Sequence, residues 1–331
     1  MEIETIPAIY VKAIVTSLQL RGWDRETLLL KLGVSDEILD AEKARIARSS
    51  YLSFTGYLAL KLQDESFGLL ATPLKPGTFA MLCHSCINCD SLEHFLRRMI
   101  KHLALVNNDA SFQLNRDAEY ATLTLETNAD RVYEKDVFVM LALAITHRLM
   151  SWAADCAFPL TEVNLCRQRP HYASDYNLLF NTNICFDQPH NQIRFSANNL
   201  ERKISRNDHD LRRFLQNAAI TLMSKPASSN NLTSNVRNVL KGKATKGFPT
   251  LAEVSKTLGY APTTLKRRLI AEGSTYQSIK NAVRRDSAIY HLAEGEMSID
   301  DIALAAGFAD PPSFFRAFKR WTGTSPRAYM R

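Results

Sequence analysis

Several things are missing from this sequence of 331 residues, and each absence narrows its class. No apolar run reads as long enough to span a membrane. The opening Met1-Glu-Ile-Glu-Thr-Ile-Pro7 has neither the basic start nor the apolar core of an export signal. The six cysteines are therefore expected to be reduced thiols in a cytoplasmic protein. A Gly-x-Ser-x-Gly elbow, a phosphate loop and a His-Glu-x-x-His zinc motif are all lacking. The expectation is a non-enzyme that carries no cofactor. Helical and strand patterns alternate without βαβ regularity, which argues against a doubly wound parallel sheet.

A net positive charge is also missing from most of the chain. Residues 1–234 carry 25 Lys+Arg against 26 Asp+Glu, whereas residues 235–331 carry 16 against 8. The net charge of +7 thus comes from the C-terminal segment. A basic domain is the electrostatic footprint expected for a phosphate backbone. The length favours two domains. The run Ser224-Lys-Pro-Ala-Ser-Ser-Asn-Asn231 reads as the linker between them. The expected division is 1–223, a linker at 224–234, and 235–331.

The first domain reads as α+β. Apolar residues recur at helical spacing from Ile6 to Leu18, and Pro7 suits a first helical turn. Asp24 and Gly33 bracket a second helix as cap and stop. Ser91 precedes an amphipathic helix with Leu92, Phe95, Leu96, Met99, Ile100 and Leu103 on one face. Ser111–Asn115 and Ala121–Glu126 alternate at period two, as a hairpin does. Glu134–Trp152 predicts a long, central apolar helix. Further strands are expected at 162–166, 184–186 and 192–195, with a helix over Tyr172–Phe180 and another near Asp208–Met223.

The second domain contains one pattern twice, 48 residues apart. Leu251-Ala-Glu-Val-Ser-Lys-Thr-Leu-Gly-Tyr260 and Ile299-Asp-Asp-Ile-Ala-Leu-Ala-Ala-Gly-Phe308 each place a small residue four before a glycine. An aromatic residue and a cationic helix follow. The small residue lets two helices cross closely, and glycine takes a turn that a Cβ would penalise. The following helix is then free to enter a major groove. This segment resembles the DNA-binding domain of the AraC/XylS family, most closely through Gly307-Phe-Ala-Asp-Pro-Pro-Ser-Phe-Phe-Arg-Ala-Phe-Lys-Arg-Trp-Thr-Gly-Thr-Ser-Pro-Arg-Ala-Tyr329. The resemblance implies an all-α domain with two helix-turn-helix motifs. It also implies base contacts from Thr263, Lys266 and Arg267 in the first reading helix, and from Pro312, Ser313 and Arg316 in the second. Arg268 and Arg320 are expected at phosphates or in solvent.

Pro73-Leu-Lys-Pro-Gly77, the helix after Ser91 and the strand with Arg194 and Phe195 resemble the N-terminal domain of the OruR/VirS-like subgroup. That domain is often labelled arabinose-binding, but the run of consecutive short strands of a sugar-binding jelly roll is lacking, so arabinose does not follow. Members of the family pair a sensor for a small-molecule effector with the double motif. They often form homodimers, recruit RNA polymerase and are commonly activators. The resemblance therefore implies double-stranded DNA, RNA polymerase, an effector and a second copy as partners, and no membrane.

Two other readings compete. Cys83, Cys86 and Cys89, near His84 and His94, have a spacing that could serve metal or thiol sensing. Free cysteine is more often a small core residue. A DNA-repair alkyltransferase with an AraC-like module would carry Pro-Cys-His-Arg, and Leu82-Cys-His-Ser85 lacks both its proline and its arginine. His147, Arg148, His171 and His190 are candidates for lining a pocket. Arg169 and Arg194 are candidates for meeting an acidic effector or, more commonly, for a structural ion pair.

Overall fold

The computed structural model describes residues 5–128, 134–156, 159–170, 184–218, 232–243, 248–272 and 274–330, together with 173, 179, 180, 182 and 222. The expected linker residues 224–231, most of the expected helix at 172–180, and His171 lie outside the described residues.

The N-terminal part begins with a two-stranded antiparallel ribbon that sequence periodicity did not reveal. In it β1 (Thr5–Pro7) pairs with β2 (Arg45–Ala47), with Ile6 opposite Ile46. Three helices lie between these strands: α1 (Ala8–Leu20), α2 (Arg25–Leu32) and α3 (Asp36–Asp40). Pro7 stands just before α1 as its cap residue rather than inside its first turn. The Asp24 carboxylate accepts the Thr27 N–H, and Gly33 ends α2 at φ 71°. Helices α4 (Arg48–Leu62), α5 (Thr78–Cys86) and α6 (Leu92–Val106) follow. The Ser91 hydroxyl accepts the His94 N–H at the start of α6, which buries Leu92, Phe95, Leu96 and Met99.

A five-stranded sheet closes this part, in the order β3 (Ala110–Arg116), β4 (Tyr120–Thr127), β7 (Asn191–Ser196), β5 (Glu162–Asn164), β6 (Ile184–Cys185). All neighbours are antiparallel except β5 and β6. Ile193 and Phe195 of β7 point into the core, as the period-two pattern requires. Arg194, on the other face, stacks its guanidinium 3.9 Å from the Tyr120 ring centre and forms no ion pair among the described residues.

Helix α7 (Lys135–Ala153) packs against this sheet, α1 and α6. It corrects the expectation about apolar runs, because by length and composition it could cross a membrane. Inside the fold, however, 67% of its apolar window is buried. It also buries Thr146, His147, Arg148 and Ser151, so it is read as a core helix. Helix α8 (Asp208–Gln216) completes the described N-terminal elements, capped by Asn207 and Asp210.

The C-terminal part is all helical: α9 (Leu232–Lys243), α10 (Leu251–Thr257), α11 (Pro262–Ala271), α12 (Tyr276–Glu294), α13 (Ile299–Ala305) and α14 (Pro311–Thr322). Glu272 accepts the Leu232 and Thr233 N–H groups, so the first turn of α9 is fastened to the end of α11. The fold is α+β followed by an all-α domain, as the sequence patterns indicate.

Candidate nucleic-acid interface

Both helix-turn-helix turns are built by the same hydrogen bonds. In the first, the Tyr260 N–H donates to the Ser255 carbonyl at 2.9 Å and the Gly259 N–H to Lys256 at 3.3 Å. In the second, Phe308 donates to Ala303 at 2.9 Å and Gly307 to Leu304 at 2.8 Å. This paired arrangement ends a helix by turning one residue left-handed, and the glycines have φ of 72° and 75°. Ser255 and Ala303 are buried at the crossings, where only a small side chain fits. The Ser255 hydroxyl has no hydrogen-bond partner there. Burying such a group costs about 1–3 kcal/mol, so Ser255→Ala is expected to raise the melting temperature. A lower melting temperature for this variant would show that the hydroxyl is satisfied in solution.

Beyond each turn the cap dictates where the reading helix starts. Pro262 occupies the first position of α11, where its missing N–H does no harm. Leu265 and Leu269 point inward, leaving Thr263, Lys266 and Arg267 together on the exposed face. On α14, the Asp310 carboxylate accepts the Ser313 N–H at 2.7 Å, and that bond holds the carboxyl below its usual range. Pro312 and Arg316 are exposed, while Ser313 is half-buried. Its hydroxyl accepts a bond of 3.1 Å from Arg316, so these two side chains engage one another. The first helix therefore presents the freer polar face. Among the described residues, none of Lys266, Arg267, Arg316 and Lys319 forms an ion pair with a carboxylate. Arg268 instead lies over the Tyr260 ring, 5.1 Å from its centre.

Arg284 and Phe248 matter to this surface, and sequence pattern gave no sign of either. Arg284, on α12, donates from Nε to the Ala306 carbonyl at 2.5 Å and from Nη2 to the Gly307 carbonyl at 2.7 Å. Its guanidinium lies 3.8 Å from the centre of the Phe308 ring and 5.8 Å from that of Phe248. The end of α13 is thereby clamped onto α12. Phe248 packs with the first motif's core and also touches Gly307 of the second turn. One aromatic side chain thus bridges the two motifs.

The motifs differ in what lies beneath them. The first has a separate small core formed by Leu232, Val236, Leu240, Val254, Leu265, Leu269, Ile279 and Val283. The second shares its core with the N-terminal part: Ile289, Ile302, Phe314, Phe318 and Tyr329 belong to one cluster with Ile6 and Ile46. Polar contacts reinforce that junction. The Asp286 carboxylate, on α12, accepts the Thr5 hydroxyl at 2.7 Å and meets Arg285 at 3.0 Å, Arg237 at 3.6 Å and Arg45 at 3.8 Å. The Arg45 N–H donates to the Tyr329 hydroxyl at 3.2 Å, and burial pushes that phenol up to about 12.

The cysteine cluster faces the interior. Cys83, Cys86 and Cys89 are all buried, and burial raises each thiol, that of Cys83 to about 12. A protonated, enclosed thiol is a poor metal ligand and nucleophile. Among the described residues no group of three His, Cys, Asp or Glu side chains is placed to hold a metal ion. Neither the metal-sensing nor the alkyl-transfer reading gains support from this geometry.

Comparison with known proteins agrees with these observations. Residues 22–204 match the arabinose-binding N-terminal domain of AraC transcription regulators, and residues 254–331 match a helix-turn-helix domain. The ornithine utilization regulator of Pseudomonas aeruginosa is 23% identical over 98% of this chain and 96% of its own length. The regulator VqsM from the same organism is 37% identical over 24% of each chain. A crystal structure of the transcriptional regulator CdpR from Pseudomonas aeruginosa aligns over 84% of this chain and 90% of its own, at 18% identity and a TM-score of 0.32. The chain belongs to the AraC family and is a DNA-binding transcriptional regulator with the N-terminal domain labelled arabinose-binding.

Proposed function

We propose that residues 1–223 bind a small-molecule effector and mediate dimerisation, that 224–234 link, and that 235–331 read an operator. In this reading Thr263, Lys266 and Arg267 contact bases in one major-groove segment, and Pro312, Ser313 and Arg316 contact those about one helical turn away. The protein acts in the cytoplasm as an activator that recruits RNA polymerase, and it catalyses no reaction. The observation that carries the reading is the exposed face of α11, whose Lys266 and Arg267 have no acidic partner among the described residues.

The two cores supply the coupling. An effector that favours one arrangement of the N-terminal domain acts directly on the second motif, because they share side-chain packing. The first motif, on its own core, follows through α12, Arg284 and Phe248. Such an effector must bind one arrangement better than the other for operator affinity to change.

Alanine at Arg267 or Arg316 is expected to lower specific operator affinity by about 1–3 kcal/mol, with the larger loss at Arg267. Equilibrium binding to a footprinted operator measures this, and wild-type affinity in both variants would remove the assignment. Full-length protein is also expected to lose affinity steeply as salt rises, since phosphate contacts release counterions. An affinity independent of salt between about 50 and 200 mM would contradict the phosphate-binding role.

A further inference from the structure

The five-stranded sheet has two edges of very different character. At one, β6 consists of Ile184 and Cys185 alone, too short to template a further strand. At the other, β3 runs for seven residues, and among the described residues no strand pairs with its outer side. Its register with β4 is continuous, so no bulge bends it away. From Ala110 to Asn115 it has neither a charged residue nor a proline. Soluble proteins ordinarily blunt a long edge with just these devices, because unpaired N–H and C=O groups accept another strand.

Two hydrogen bonds fix which backbone groups of β3 face outward. The Asp117 N–H donates to the Tyr120 carbonyl at 2.9 Å beyond one end of the ladder, and the Asn128 N–H to the Asp109 carbonyl at 2.9 Å beyond the other. Bonded and non-bonded pairs alternate along an antiparallel ladder. Ser111, Gln113 and Asn115 therefore turn their backbone groups towards β4, whereas Ala110, Phe112, Leu114 and Arg116 turn theirs outward. Side chains divide in the same way. Ser111, Gln113 and Asn115 are exposed on one face, and Ala110, Phe112 and Leu114 are half-buried on the core side.

This edge is complementary to itself. Antiparallel pairing with a second copy about a two-fold axis at Gln113 sets Phe112 opposite Leu114 of the partner subunit. It also sets Ser111 opposite the partner's Asn115 and Ala110 opposite the partner's Arg116. Every outward-facing residue of β3 then meets an outward-facing one, whereas an axis at Phe112 or Leu114 leaves Arg116 or Ala110 unmatched within the strand. Apolar side chains oppose apolar ones and polar oppose polar, the cross-strand pairs that stabilise a sheet. No like charges oppose each other, since Arg116 meets an alanine and is already held by Glu93 at 3.1 Å and Glu201 at 2.7 Å. Just before β3, the end of α6 exposes Leu105 (86%) and Val106 (38%). In an antiparallel pair the partner's β3–β4 turn comes to that end of the strand.

We propose that the outer side of β3 is the dimerisation surface, joining the sheets of two copies of this chain edge to edge about a two-fold axis at Gln113. The proposal deepens, and rests on, the reading of residues 1–223 as mediating dimerisation. The surface is isologous, as a closed dimer requires.

The test is sedimentation of the full-length protein without DNA, over a range of concentrations. Gln113→Lys places two ammonium groups against each other only in the dimer, so it should weaken self-association by about tenfold or more. Gln113 is exposed, so the far-ultraviolet circular dichroism of the variant should stay that of wild type. Gln113→Glu should weaken it likewise, and an equimolar mixture of the two variants should recover dimers. At the axis the two Cα atoms stand about 4.5 Å apart, within reach of a disulfide. Gln113→Cys should therefore cross-link under mild oxidation above the background of the six native cysteines. Ser111→Cys should not, because its counterpart lies about 13 Å away along the strand.

Undiminished self-association of Gln113→Lys, or dimeric Gln113→Cys that does not cross-link, would overturn this surface while leaving dimerisation in place. Cross-linking through Ser111→Cys instead of Gln113→Cys would overturn the axis. A wild type that remains monomeric both free and on its operator would remove the dimerisation reading itself, and the proposal with it.

Discussion

Asp286→Ala is expected to destabilise the protein by about 3–5 kcal/mol, the range found when one member of a buried ionic cluster is removed. The carboxylate lies among Arg285, Arg45 and Arg237, whose side chains are 17%, 4% and 19% exposed. Without it, a cluster of like charges remains at the junction of the ribbon, α9 and α12. Burial alone pushes the Asp286 carboxyl up, but Arg285, Arg45, Arg237 and the Thr5 hydroxyl together outweigh it, so its value lies below the ordinary 3.8. A value depressed on folding contributes stability in full above the unfolded value. That contribution disappears as pH falls through the lower, folded value. Wild type should therefore lose this contribution only below about pH 4, and Asp286→Ala should lack it at every pH. Urea unfolding at pH 7 and at acidic pH measures both parts. Equal stability of the two proteins at pH 7 would show that the cluster contributes nothing to the junction. Thr5 and Arg45 belong to the N-terminal ribbon, so the loss should also weaken the attachment of the second motif to the domain that senses effector.

Features set by neighbouring residues were legible in the sequence. The caps at Asp24 and Ser91 each satisfy a backbone N–H three residues on, where the residue types indicate. The glycines of both turns were equally readable, because a left-handed residue after a helix is a local demand. The ribbon was not readable: its strands have three residues each, too few for alternation, and they pair across about forty positions. The contact between Thr5 and Asp286 spans 281 positions and no local pattern encodes it. For the same reason the second motif looked independent of the N-terminal half, although its core is continuous with it. Arg148 was visible as a polar residue on an apolar helix, but only the fold shows that it is buried.

Gly307→Ala should cost roughly 2–5 kcal/mol, from two sources that its twin in the first turn separates. Both glycines have nearly the same backbone, φ 72° at Gly259 and 75° at Gly307. An L-residue held there loses about 1–2 kcal/mol, so Gly259→Ala should cost that amount. A Cβ on Gly259 meets nothing within 4 Å, whereas one on Gly307 would stand 2.9 Å from Cδ2 of Phe248. Moving a packed ring costs about 1–3 kcal/mol more. The difference between the two variants in urea unfolding therefore reports the Phe248 contact alone, and equal losses would mean that the ring moves freely. The functional consequence follows from what the ring touches. Phe248 lies beside Arg284, which clamps the end of α13, so displacing it changes the angle between α11 and α14. Helices that enter successive major-groove segments must be held at a fixed separation. Gly307→Ala should accordingly lose more affinity for the native operator than for variants with one base pair added or removed between the two contacted segments, while Gly259→Ala keeps the native spacing preference. An unaltered spacing preference in Gly307→Ala would show that α12 alone, without the Phe248 contact, sets the separation of the reading helices.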